Sequence, residues 1–314
     1  MSYHHLTTEE RERLLGFIAS GKSIDEAAKE LGRHRSTLYR EIRRNGGRKE
    51  WLPSRAQKRY IRKRRRCRRE FKLRKDTSAR SAVLTGLIYR WSPEQIVCCL
   101  GVEVSVPTIY RALRRGVLPR HYSMNLRHRG KCYRPRKAKD PGCRMPGGLP
   151  IEQRPEEVNL RVDLGHWEAD TMCGSKGSGA IATFVERKTR LLRAIRLPDQ
   201  TAASMESAMK KALIGLPCKT ITTDNGKEFS RFSQVQEALS TLFYFANPHS
   251  PWEKGAVENM NGLLRQYFPK GSSFESVAQS DVDRAVLSIN NRPRKCLDWR
   301  TPLEAFSGQM SHLD

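Results

Sequence analysis

The sequence predicts a multidomain protein, with all-α helix-turn-helix units followed by an α/β domain built on a mixed sheet with flanking helices. Three observations predict it. First, 314 residues suffice for about two domains at roughly 150 residues each. Second, the net charge of +26 belongs to one half: residues 1–150 hold 38 Lys and Arg against 13 Asp and Glu, whereas residues 151–314 hold 21 against 20. Third, apolar spacing changes near residue 158 from helical periodicity to short β-like runs. A half carrying +25 binds a polyanion by releasing condensed counterions, so double-stranded DNA is the expected partner. No apolar run approaches the roughly 18 residues of a membrane span. The opening Met1-Ser-Tyr-His-His-Leu predicts no secretory signal. The eight Cys include no CxxC pair, which argues against a disulfide framework or structural zinc and predicts a cytoplasmic protein with reduced thiols.

The elements follow in order. Thr7 with Glu10 forms a capping box for a first helix, whose apolar face is Leu14, Leu15, Phe17 and Ile18 and which ends at Gly21. Ser23 with Glu26 starts a second, carrying Ile24, Ala27, Ala28 and Leu31 at helical spacing. Gly32 turns the chain into a third, residues 33–44, which buries Leu38 and Ile42. This helix would present Arg33, His34, Arg35, Ser36, Tyr39, Arg40 and Arg43 to DNA. Residues 47–80 read as a basic linker, a tether or a lone basic helix along phosphates. A second helix-turn-helix, 81–120, is marked by Ser92-Pro93-Glu94-Gln95 and by Ser105–Arg115. Ile109 and Leu113 would point inward, and Ser105, Thr108, Arg111, Arg114 and Arg115 toward DNA. Residues 121–156 form a basic linker containing Gly and Pro, without periodicity.

The remaining domain, 157–314, carries strand-like runs around Leu160–Met172, over Ala180–Val185 and over Leu191–Leu197. An amphipathic helix over Ala202–Leu216 follows, then strands at Lys219–Thr223 and Leu242–Ala246, and a long helix between Pro251 and Phe268. Asp170 and Asp224 would lie at strand ends, Asp224 on an Asp-Asn-Gly turn, and Glu258 on the last helix. Converging carboxylates repel unless a cation lies between them. Two Mg²⁺ ions roughly 4 Å apart meet that need in phosphoryl transfer, and Mn²⁺ could substitute. Glu253 is the rival third acid, but five residues before Glu258 it would point to another helix face.

These residues resemble the insertion-sequence-thirty family of bacterial transposases, within the Asp-Asp-Glu transposase and integrase superfamily. His166-Trp-Glu-Ala-Asp170 is similar to the family's first-aspartate segment, Thr223-Asp224-Asn-Gly-Lys-Glu-Phe229 to its second, and Pro248–Lys270 to its glutamate segment. The 33 residues between Asp224 and Glu258 match the triad spacing, and the tail Asn290–Phe306 and both helix-turn-helix units have counterparts. Ala256-Val257, Asn247 and Glu186 depart from the common spelling without removing a triad acid. The resemblance implies a ribonuclease-H-like catalytic domain with a metal triad of Asp170, Asp224 and Glu258; in a two-metal arrangement Asp170 would bridge both ions, with Asp224 and Glu258 each holding one. Asn225, His249, Trp252, Asn259 and Arg265 would lie beside the acids or against DNA. It also implies a nucleoid-associated enzyme that acts on terminal inverted repeats and a target site. Joined or circular ends would be intermediates, and the active complex a homo-oligomer. Two rivals are a DNA-binding regulator that has lost catalysis, which has no reason to keep the triad, and a phage or retroviral-type integrase, whose His-His-Cys-Cys zinc spacing is absent here.

Overall fold

The helices begin where the capping residues put them. In this computed structural model, which describes residues 4–67, 70–127, 145–248 and 250–311, the chain divides into two units, residues 1–70 and 71–314. In the first unit, Thr7 and Glu10 exchange hydrogen bonds (Glu10 N to Thr7 Oγ1 3.1 Å, Thr7 N to Glu10 Oε2 2.7 Å) and open α1 (Thr8–Ala19). Ser23 and Glu26 do the same for α2 (Ile24–Glu30). Gly32 makes the turn at φ +62°, a region where a side chain is strained, and α3 (Arg35–Arg44) follows. It starts later than expected because His34 is extended and caps through Nδ1, 3.3 Å from Ser36 N. Leu6, Leu14, Ile24, Ala27, Ala28, Leu38 and Ile42 make the core.

The basic stretch after it is largely helical. α4 (Pro53–Arg66) packs on this core through Ala56, just after buried Trp51. Buried Arg11 reinforces the junction by donating to Glu41 Oε1 (2.6 Å) and Gln57 Oε1 (2.7 Å). One Trp, one Ala and one satisfied arginine replace the apolar stripe whose lack suggested a tether.

The second unit opens with α5 (Lys72–Lys75), α6 (Thr77–Ile88), α7 (Pro93–Cys99) and α8 (Val106–Arg114). Their core runs from Leu73 through Val83, Leu87, Ile96, Ile109 and Leu113 to Leu126. Gly86 lets α6 and α7 approach, since a Cβ there would lie 2.5 Å from Ile96.

Next come β1 (Leu149–Pro150), α9 (Glu156–Leu160), β2 (His166–Cys173), β3 (Ala180–Glu186), β4 (Leu192–Leu197), α10 (Ala202–Leu213), β5 (Thr220–Thr223), α11 (Phe232–Leu239), β6 (Leu242–Phe245), α12 (Gly255–Leu264), α13 (Gln279–Asn290) and α14 (Pro302–Met310). The strands form one mixed sheet in the order β1-β6-β5-β2-β3-β4, with β2, β3 and β4 antiparallel and β2, β5, β6 and β1 parallel. Strand alternation divides the core. Trp167, Ala169, Ala182 and Phe184 pack with Met205, Met209 and Leu213 of α10 on one face. Met172, Ile181 and Val185 pack with Val257, Met260 and Leu264 of α12 and Val282 and Ile289 of α13 on the other. The expected fold class is therefore present: helical units, then a mixed sheet with flanking helices.

Further details differ from the sequence reading, among them the run read as strand-like from Leu160, which begins at the end of α9 before β2 starts at His166. β1 lies inside the stretch read as a linker, and its two residues are too few to show a period. The helix expected from Pro251 begins as a 3₁₀ turn, Pro251–Lys254, before α12. α13 and α14 are helices that the periodicity argument does not predict.

Candidate active site

β2 and β5 are parallel neighbours, with Glu168 opposite Thr222, so Asp170 lies just past their paired stretch and Asp224 just after β5. The two acids meet at one sheet edge. Asp224 Oδ1 accepts from Gly226 N (3.1 Å), the local turn that an Asp-Asn-Gly sequence favours. Asn261 Nδ2 of α12 donates to Asp170 Oδ2 (2.7 Å). Between the carboxylates sits the buried ammonium of Lys254, 3.3 Å from Asp170 Oδ1 and 3.0 Å from Asp224 Oδ2.

The charges are strongly coupled. Burial pushes the Asp170 carboxyl up from its usual range and Asp224 adds to this, against the pull of Lys254. Burial would depress Lys254, yet Asp170 and Asp224 outweigh it and hold the ammonium charged. Glu258, in the first turn of α12, is raised by partial burial and then by Asp170. Its side chain is exposed, and among the described residues no three His, Cys, Asp or Glu converge closely enough to hold one metal ion. Asp170 and Asp224 are brought together; Glu258 faces the same charge field without joining them. The donor set nevertheless fits a divalent cation. All three are hard carboxylate oxygens, and the inner pair already requires a positive charge, here an ammonium.

α12 is fixed to the sheet by a second carboxylate. Glu168, fully buried on β2, accepts from Ala256 N (2.8 Å) and Val257 N (2.9 Å) through Oε2, and from Arg187 Nη1 (2.6 Å) through Oε1. A negative charge on the exposed amides of a helix N-terminus is favourable. Because Glu168 is two residues from Asp170 on the same face of β2, this clamp sets where Glu258 stands relative to Asp170.

The pattern of the helix-turn-helix domain family matches residues 2–45, and that of the integrase core domain family matches residues 163–251. The latter span includes Asp170 and Asp224 and ends before Glu258. The transposase for insertion sequence element IS1086 of Cupriavidus metallidurans is 36% identical, over 97% of this chain and 95% of that protein. The transposase InsI for insertion sequence element IS30A of Escherichia coli K12 is 34% identical, over 99% of this chain and 85% of its own. The chain belongs to the family of IS30-type transposases. The crystal structure of the catalytic core domain of BIV integrase is 20% identical, with a TM-score of 0.38, over 48% of this chain and 98% of that one.

Within this family member, the other expected site residues are distributed as follows. Asn225 ties backbone together, accepting from Met145 N (2.8 Å) and donating to Ala246 O (2.7 Å). Trp252 is 75% exposed. Asn259 Oδ1 accepts from Arg127 (2.7 Å), Arg265 donates to Cys173 O (2.9 Å), and His249 lies outside the described residues. The rival Glu253 is engaged elsewhere, accepting from Asn247 N (2.8 Å). On α3, Tyr39 is half-exposed and Arg40 folds back on Ser36 O (2.9 Å). Arg33 is bound to Glu10 (2.8 Å), Arg35 stands near Asp25 (4.0 Å), and Arg43 lies in the last turn. On α8, Ser105 and Thr108 share a hydrogen bond (2.9 Å), and Arg115 just beyond it lies over Phe71. Arg111 and Arg114 are exposed there.

Sequence reading missed Lys254 and Asn261. Asn261 carried a signal, since it stands three residues after Glu258 on α12, the spacing of one helix face; Lys254, in the 3₁₀ turn before α12, carried none.

Proposed function

We propose that this protein is a DNA transposase that binds the terminal inverted repeats of an insertion sequence and catalyses metal-dependent strand cleavage and strand transfer through a joined-end or circular intermediate. The observation that carries this reading is the Asp170–Asp224 pair closed over a cation, with Glu258 on a helix clamped to the same strand. Asp170, Asp224 and Glu258 would hold the metal, two Mg²⁺ by this reading or Mn²⁺ in their place. When bound, the ions would polarise the attacking and leaving oxygens of phosphoryl transfer. Asp170 and Asp224 bring the negative charge to one edge, Lys254 counters it, Asn261 orients Asp170, and Glu168 holds α12 in register. No Ser, Tyr or Cys serves as a nucleophile, because water and then a DNA 3′-OH can take that role.

Residues 1–46 and 81–120 are the proposed DNA-reading units on either side of a basic connection. A second basic stretch, 121–156, leads to the catalytic domain, 157–314. In the first unit, Arg33, His34, Arg35, Ser36, Tyr39, Arg40 and Arg43 are the proposed contacts; in the second, Ser105, Thr108, Arg111, Arg114 and Arg115. The protein would act at the nucleoid, as a homo-oligomer when two element ends are held together.

The assignment of the third acid is tested by nicking of a labelled inverted-repeat duplex in Mg²⁺. Glu258→Gln should lose nicking by at least the roughly hundredfold typical of a displaced charge-stabilising group, with duplex binding retained. Glu253→Gln should nick within a few-fold of wild type. The reverse order would assign the role to Glu253.

A further inference from the structure

A cleft of about 230 Å³ separates the second helical bundle from the far end of α12, and it is lined by Arg90, Arg127, Gln266, Arg292, Arg294 and Lys295, among others. Hydrogen bonds staple its two sides: Arg90 Nη1 to Gln266 O (2.7 Å), Gln95 Nε2 to Pro293 O (2.6 Å) and Gln266 Nε2 to Asn125 O (3.2 Å). The charge balance of the lining is one-sided. Its single acid among the described residues, Glu94, is spent on Lys295 at 3.1 Å. Arg292, 2% exposed, has only neutral acceptors among the described residues, Gln266 Oε1 (2.7 Å) and Tyr267 OH (2.6 Å). Arg294 reaches Ile289 O (3.2 Å), and the Nε of both arginines is buried with no hydrogen-bond partner among the described residues. Arg90 stacks 4.4 Å from the centre of the Tyr267 ring. Burial, then the like charge of Arg292, pushes Arg294 down to about 10. Clustered guanidiniums without a carboxylate are costly unless an anion completes them.

One lining residue reaches from the cleft toward the candidate active site. Arg127, on its rim, donates to Asn259, the residue after Glu258, and Gly262 leaves room for that guanidinium, since a Cβ there would lie 2.8 Å from Nη2. From Glu258 to its end at Leu264 the helix rises roughly 9 Å, the reach of one or two nucleotides of backbone.

We propose that this cleft is a phosphodiester-binding site that grips the backbone of the DNA strand running along α12 from the candidate active site. The proposal rests on the DNA-transposase reading given above. Arginine suits the role because its planar fork matches phosphate oxygens. Gly262 admits the Arg127 guanidinium beside α12, and the neutral partners of Arg292 and Arg294 leave their charge uncancelled for the strand.

The test uses the full chain in EDTA and a short fluorescent duplex, with binding followed from about 50 to 200 mM KCl. Each phosphate contact contributes roughly 0.9 to the slope of log K against log salt. Arg90→Gln/Arg127→Gln should lower that slope by about two, so the wild-type advantage shrinks about tenfold across the salt range. Arg90→Lys/Arg127→Lys should recover it, since a lysine still pairs with phosphate, and circular dichroism melting confirms that each variant is folded. An unchanged slope in the Gln pair would overturn the proposal, as would an equal loss in the Lys pair. A melting temperature raised by millimolar inorganic phosphate in wild type but not in the Gln pair, with the DNA slope unchanged, would assign the cleft to free phosphate instead. A wild-type protein that binds with the full slope yet never nicks would defeat the enzymatic reading and leave the cleft result intact.

Discussion

Lys254 places a buried ammonium between two carboxylates that would otherwise repel across one sheet edge. Removing it should therefore destabilise the metal-free protein in particular. Lys254→Met is expected to cost about 2 kcal/mol in EDTA, less than the ~3–5 of a fully buried pair because Asp224 is half-exposed. Added Mg²⁺ should raise the melting temperature of this variant more than that of wild type. Equal melting of the two proteins in EDTA would show that the ammonium is not the counter-charge. The acids themselves were legible because their chemistry and spacing are distinctive. Lys254 was not, since a lysine in Pro-Trp-Glu-Lys reads as a solvated turn residue until the fold buries it. For Glu168 the sequence points to a structural, hydrogen-bonding role beside Asp170, as found; its partners Ala256, Val257 and Arg187 were not legible, because they come from segments remote in sequence.

At the scale of elements, capping residues and strand alternation were the readable signals. Thr7, Ser23 and Ser92 each open a helix through a reciprocal box, and β2 to β6 lie where the apolar runs suggested. α4 was obscured because its charge pattern dominates, whereas its attachment depends on Trp51, Ala56 and the Arg11–Gln57 bond. This makes a fragment ending at residue 46 incomplete: residues 1–70 should melt cooperatively at a higher temperature than residues 1–46. Within the longer fragment Trp51→Ala should cost about 3–5 kcal/mol, as for other buried aromatic truncations. Equal melting of the two fragments, followed by circular dichroism, would mean that α4 is an appendage. β1 and the 3₁₀ turn before α12 were invisible for a different reason. Two to four residues hold no period, and their conformations are set by β6 and by the site they adjoin.

For the whole molecule, the division of charge and of periodicity was visible from the sequence, and it corresponds to helical DNA-binding architecture followed by a sheet that gathers acids. No helix among the described residues is long and apolar enough to cross a membrane. Family membership supplies the context for the proposal that a sheet edge with two aspartates, a clamped helix with Glu258 and an arginine-lined cleft act on one polymer. The contact that sequence could not reveal is the one between the second helical bundle and the end of α12, since Arg90, Arg127 and Arg292 lie far apart in the chain and meet only once folded. The central claim is that Asp170, Asp224 and Glu258 together cleave and join DNA. It is tested most directly by excision of a marked segment flanked by the inverted repeats that border this gene, with Mg²⁺, by wild type, Asp170→Asn and Glu258→Gln. Joined ends from wild type alone, with all three proteins binding the repeats, is the predicted result. Excision by either variant at the wild-type level, or binding of the ends by all three without any nicking, would contradict it.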